Sequence, residues 1–188
     1  AFDIGGVLEI PKYDSVPNMK KIIKIRNEWK EKVIPIIDES VKGKITKEQF
    51  IKKIVKKLEN KITRKDLIKS QKIFYKNSFK TNKILLGVAH KLKKEGYKLI
   101  IISDLPWLAK ENLIGNKKYN FFIAKIISCE VRCAKPNNKI FKIALTKSKT
   151  KPREMLFIDN HNKNILSAKK LGINTILFKN NNQTIKEI

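Results

Sequence analysis

At 188 residues and 41% hydrophobic, the chain has material for one full core domain and a modest insertion, which excludes a disordered protein. Its 43 basic against 17 acidic residues give a formal charge of +26. Lysine supplies nearly all of that excess along almost every helical segment, without the arginine and aromatic platform that reads bases, so nonspecific adhesion at low salt is expected and a specific nucleic-acid partner is not. No run reaches the roughly 18 apolar residues of a membrane span, and no charged-then-apolar leader precedes a small-residue cleavage site; a soluble cytoplasmic protein is the expectation.

The chain opens Phe2-Asp3-Ile4-Gly5-Gly6-Val7-Leu8, which places a lone carboxylate where a first strand should end. Only two residues precede Asp3, whereas a buried strand runs about five or six, so the start of this strand is expected to be clipped. From about 11 to 80 the pattern is helical. Thr46 with Gln49 has capping-box spacing, flanked by Ile45 and Phe50 as a hydrophobic staple, and Thr63 with Asp66 repeats the arrangement. Phe50, Ile51, Ile54, Val55 and Leu58 then fall on one helical face, as core packing requires. This segment reads as a small helical insertion with lysine-coated polar faces.

From about 82 helix and strand alternate. A helix carrying Ile84, Leu85, Val88, Ala89 and Leu92 stops near Gly96, and Leu99 to Ile102 is a continuous apolar run of the buried parallel type. Strands follow at Ile123 to Ile127, Met155 to Ile158 and Thr175 to Phe178, with helices at Ile140 to Leu145 and Asn164 to Leu171. The tail from Lys179 is polar and carries no signal. Such alternation predicts an α/β fold, a doubly wound parallel sheet with helices on both faces that binds ligands at the carboxyl ends of its strands. Asp3, Ser103 and Asp159 all fall at such ends. Cys129 and Cys133 have neither disulfide nor zinc spacing and read as reduced packing residues.

In this order the fragments resemble the haloacid dehalogenase superfamily, particularly its phosphatase-like members with a helical cap inserted after the first motif. Phe2 to Leu8 is similar to the first motif, Ile101-Ile102-Ser103-Asp104 to the second, Ala134-Lys135-Pro136 to the third and Phe157-Ile158-Asp159-Asn160 to the fourth. Gly43 to Phe50, Ser128 to Val131 and Asn164 to Gly172 supply matching context. The resemblance implies a Rossmann-like core at 1–10 and 81–188 with a helical cap at 11–80. It further implies an Mg²⁺-dependent phosphatase-like hydrolase acting on a small phosphorylated metabolite.

Attack on a phosphate ester needs an oxygen nucleophile, a divalent cation and donors for the transferring oxygens. By resemblance, Asp3 is the nucleophile that becomes an aspartyl phosphate, and Mg²⁺ is held by Asp3, the Gly5 carbonyl and Asp159, with Asn160 holding a metal-bound water. Ser103 donates to the phosphoryl group, and Lys135 bridges Asp3 and the phosphate. His161, beside the metal motif, and His90, mid-helix among lysines, read as incidental. Trp107 either lines the entrance or packs under the cap. One departure matters: most such phosphatases carry a second aspartate two residues after the nucleophile, and Gly5 stands there. Glu9 or Asp14 could swing in, the leaving group could need little help, or turnover could be poor. A weak or inactive phosphate- or polyanion-binding descendant therefore stands as an alternative. A metal-independent dehalogenase fits less well, because Asp159-Asn160 resembles a metal site that such chemistry does not need.

Overall fold

The computed structural model describes residues 1–12, 31–59, 62–115 and 117–188. At its centre lies a parallel sheet built from short, continuously apolar segments. Strand β3 (Ile100–Ser103) pairs in parallel with β4 (Ala124–Ile127), and β5 (Leu156–Asp159) with β6 (Asn174–Leu177). The two pairs are joined by the opening residues. Phe2 bridges both Ile101 and Ile158; its N–H donates to Ile100 O at 3.0 Å, and the Asp3 N–H donates to Ile158 O at 3.0 Å. The order is thus β4, β3, residues 1–3, β5, β6, and Asp3 emerges from the middle of the sheet.

Alternation of side chains sends the strands to two cores, as a strand period of two requires. Ile101, Ile127, Ile158 and Ile176 pack on one face against Leu85 and Ala89 of α4 (Lys83–Lys94) and Ala109 and Leu113 of α5 (Trp107–Ile114). Ile100, Ile102, Ile126 and Phe157 pack on the other against Ile140, Phe141 and Ala144 of α7 (Asn138–Ser148) and Ile165 and Ala168 of α8 (Asn162–Lys169). This is the doubly wound α/β arrangement expected. A one-turn α6 (Ser128–Val131) links β4 to the loop before α7.

Between the opening strand and α4 lie helical residues 31–41 (α1), α2 (Lys47–Lys57) and α3 (Arg64–Ser78). Both expected capping boxes are present: the Thr46 and Thr63 side chains accept from the backbone N–H of Gln49 and Asp66, whose side chains reach back. Ile45, Phe50, Ile51, Ile54, Leu58 and Leu67 form a third core, which Leu108 of α5 joins. Trp107 resolves toward packing: its indole Nε1–H donates to Ile45 O at 3.0 Å and its backbone N–H to Ser40 Oγ at 3.2 Å.

Two features depart from the sequence reading. Glu9–Pro11 (β1) and Phe79–Thr81 (β2), the segments leaving and re-entering the sheet domain, pair antiparallel. Three-residue strands carry too little pattern to announce themselves. The tail is also ordered as α9 (Asn181–Glu187), capped by Asn180 and fastened by Asn181 Oδ1, which accepts from Asn82 Nδ2 at 2.7 Å, with Thr184 fully buried. Polar composition hid a helix whose anchor is one threonine and an amide contact.

Candidate active site

The carboxyl ends of residues 1–3, β3 and β5 bring Asp3, Ser103 and Asp159 together, each buried to 5% exposure or less. Lys135 arrives from the loop after α6, its side chain 1% exposed. Its ammonium lies 3.0 Å from Asp3 Oδ1 and 2.6 Å from Asp159 Oδ2, and donates to Ile102 O at 3.1 Å. A cation thus sits between two carboxylates in a buried site, where desolvation makes unpaired charge costly. The three side chains expected at strand ends and the loop lysine converge.

The charges set one another's titration. Burial pushes the Asp3 carboxyl above its ordinary range and the neighbouring Asp159 charge adds to this, while Lys135 and the Ser103 hydroxyl oppose it. Burial acts to strip the proton from Lys135, but Asp3, Asp159 and Asp104 together overcome it and hold the ammonium above its usual value. Asp104, the residue after Ser103, accepts from the Lys135 backbone N–H at 3.0 Å and is raised to about 6, chiefly by burial.

Asp159 is fixed in place. Its Oδ1 accepts from the His161 N–H at 2.7 Å, and both of its oxygens accept from Asn164 Nδ2, at 3.1 and 3.0 Å. Asn164, in the first turn of α8, therefore orients the carboxylate. It was visible in the sequence only as helix context. Asn160 packs its amide against Gly6, whose φ of +82° and lack of a side chain let it fit: a Cβ there would lie 2.4 Å from Asn160 Nδ2. The Asn160 Oδ1 is buried without a hydrogen-bond partner.

Among the described residues no three His, Cys, Asp or Glu side chains converge as a metal cluster. The available donors are instead two carboxylates, a loop carbonyl at Gly5 and the orphaned Asn160 oxygen. That hard, all-oxygen set suits Mg²⁺ with water completing its shell, and the Lys135 ammonium marks where positive charge belongs. The residues fit the ion.

A pocket of about 210 Å³ is lined by Asp3, Gly5, Ser103, Asp104, Lys135, His161, Lys163 and Asn164. Nothing lies within 4 Å of where a Cβ on Gly5 would point. Glu9 does not fill that gap: it is 3% exposed and bound by Tyr119 Oη at 2.6 Å, by Lys118 and by Thr81. Asp14 lies outside the described residues. His90 is exposed and stacks on Phe121 away from this pocket, whereas His161, read as incidental, lines it. Cys129 and Cys133 are free and buried, and burial lifts the Cys129 thiol to about 12, so packing describes them.

A family model described as haloacid dehalogenase-like hydrolase matches residues 14–178. Bifunctional epoxide hydrolase 2 of Rattus norvegicus is 29% identical over 116 residues, 57% of this chain and 20% of that protein. Glyceraldehyde 3-phosphate phosphatase of Pyrococcus furiosus is 37% identical over 91 residues, 47% of this chain and 38% of that one. The similarity to these curated relatives thus spans well under half of their length. A HAD family enzyme from Bacteroides thetaiotaomicron, solved in complex with magnesium and inorganic phosphate, superposes with a TM-score of 0.77 at 26% identity, covering 95% of this chain and 92% of that one.

Proposed function

Given that the chain belongs to the haloacid dehalogenase-like hydrolases, we propose that it is an Mg²⁺-dependent phosphatase cleaving a small phosphorylated metabolite through an aspartyl phosphate on Asp3. The observation that carries this is the Lys135 ammonium held between Asp3 at 3.0 Å and Asp159 at 2.6 Å beside the buried Ser103 hydroxyl. Such a cluster suits a pentavalent phosphoryl group and has little use in a purely structural core. The magnesium and phosphate bound by the Bacteroides thetaiotaomicron enzyme and the phosphatase relative of Pyrococcus furiosus support the same reading. It divides the chain into a core at 1–10 and 81–188 and a helical cap at 11–80.

In this mechanism an Asp3 oxygen attacks phosphorus, the bond from phosphorus to the ester oxygen breaks, and water then cleaves the acyl phosphate to release inorganic phosphate. Lys135 opposes the upward push of burial on the Asp3 carboxyl and neutralises the transferring group, and Ser103 donates to a phosphoryl oxygen. Asp3, Asp159 and the Gly5 carbonyl would hold Mg²⁺, with Asn160 holding one of its waters, and the ion would supply charge neutralisation for the crowded oxygens. With Gly5 in place of a carboxylate, Asp104 is, among the described residues, the remaining pocket carboxyl that can trade a proton with the leaving oxygen or with water.

Release of inorganic phosphate from acetyl phosphate and a panel of phosphorylated metabolites, with and without Mg²⁺, tests this against Asp3→Asn. Metal-dependent turnover lost in that variant is the expected result. A second reading, a phosphate- or polyanion-binding protein of negligible turnover, is favoured by Gly5 and the net charge of +26. Gly5→Asp separates the two, because the site has room for the added carboxylate. A working phosphatase short of an acid should gain about tenfold or more. A folded, Mg²⁺-binding protein that stays inert in both forms would establish the second reading.

A further inference from the structure

The pocket holds a cation that the phosphoryl chemistry leaves over. Lys135 is committed, its ammonium shared between two buried carboxylates. Lys163 also lines the pocket, from the first turn of α8, and its ammonium has no hydrogen bond or ion pair among the described residues. His161 stands beside it, its backbone held by Asp159 at 2.7 Å, so the segment carrying both side chains is anchored to the reaction centre. The two residues are exposed whereas Asp3, Ser103 and Asp159 are buried, which puts them at the mouth. Lys163 also borders a second, open cavity of about 540 Å³ lined by Asn137, Asn138, Leu166, Ser167 and Lys170. It therefore stands between the catalytic pocket and open space.

We propose that Lys163, flanked by His161, is a second anion subsite that selects phosphate esters whose leaving group carries another negative charge, a carboxylate or a second phosphate, over esters of neutral alcohols. This rests on the phosphatase reading for what occupies the inner pocket. The energetic logic is a difference. The inner carboxylates repel any second anion that approaches them, whereas the Lys163 ammonium at the rim, without a partner among the described residues, attracts one, so the second charge is favoured near Lys163. An exposed ammonium contributes modestly, which sets the expected discrimination at about fivefold for this one contact.

Equilibrium binding to the Asp3→Asn variant in Mg²⁺ tests the subsite without needing turnover. Titration calorimetry with 3-phosphoglycerate and with glycerol 3-phosphate, which differ in the distal carboxylate, should show tighter binding of the first. Adding Lys163→Ala should shrink that preference about fivefold, Lys163→Arg should retain it, and Lys170→Ala should leave it as it was. Equal affinity for the two ligands, or a preference that survives Lys163→Ala or falls as far in Lys170→Ala, would overturn the proposal, the last outcome assigning the effect to the general positive field. Phosphate release by the wild-type chain is measured separately, so loss of the catalytic reading and loss of the subsite give different results.

Discussion

Asp104 shows how a single residue is pulled between stability and chemistry. Its carboxyl is raised to about 6, above the ordinary value near 4, so between those pH values the folded chain binds more protons than the unfolded one, and stability falls as pH rises through that window. Above pH 6 the full cost of holding it ionised is present. Asp104→Asn keeps an acceptor for the Lys135 N–H and removes that cost. In chelator-containing buffer its unfolding free energy at pH 7.5 should exceed the wild type's by about 1–3 kcal/mol, and the difference should vanish near pH 4. If Asp104 handles the proton in turnover, the same variant loses about a hundredfold in kcat. A variant that is both more stable and less active is the signature to measure, by urea titration and phosphate release.

At the scale of elements, one of the places where the helical insertion meets the core is a glycine. Gly43, in the turn between α1 and α2, has φ of +63°, and a Cβ there would lie 2.6 Å from Arg132 Cα and 3.0 Å from Cys129 O. Both neighbours are backbone and belong to α6 or its end, just before Lys135, so they have little room to give. Gly43→Ala combines a left-handed backbone with a clash and should cost about 1–3 kcal/mol, read as a lower urea midpoint with unchanged slope. The β1 and β2 pair supplies a second fastening. Glu9 is buried there against Tyr119, and burial and that carboxylate hold the Tyr119 hydroxyl far above its normal range, so the phenol stays a donor. The same bond explains why Glu9 is structural here rather than a reserve proton donor.

For the whole molecule, the net charge of +26 acts at long range. Anionic ligands are steered inward at low ionic strength, and this advantage fades once the Debye length falls below about 10 Å. KM for an anionic ester should therefore rise several-fold between 50 and 300 mM salt with kcat nearly constant, and retention on random-sequence DNA should disappear over the same range. A steady KM would mean that only local contacts recruit the substrate. The sheet segments, both capping boxes and the residues at the strand ends were legible in the chain, because apolar runs, cap spacing and local turn chemistry are written in neighbouring residues. Asp3, Ser103, Lys135 and Asp159 could be named as candidates on that basis, along with the family they resemble. The tertiary structure decided what depends on residues far apart in sequence: the opening strand between β3 and β5, Glu9 locked by Tyr119 110 positions away, Asn164 holding Asp159, and Lys163 at the pocket mouth. These relations arise from packing and burial, which set distance, desolvation and charge only after the chain has closed on itself.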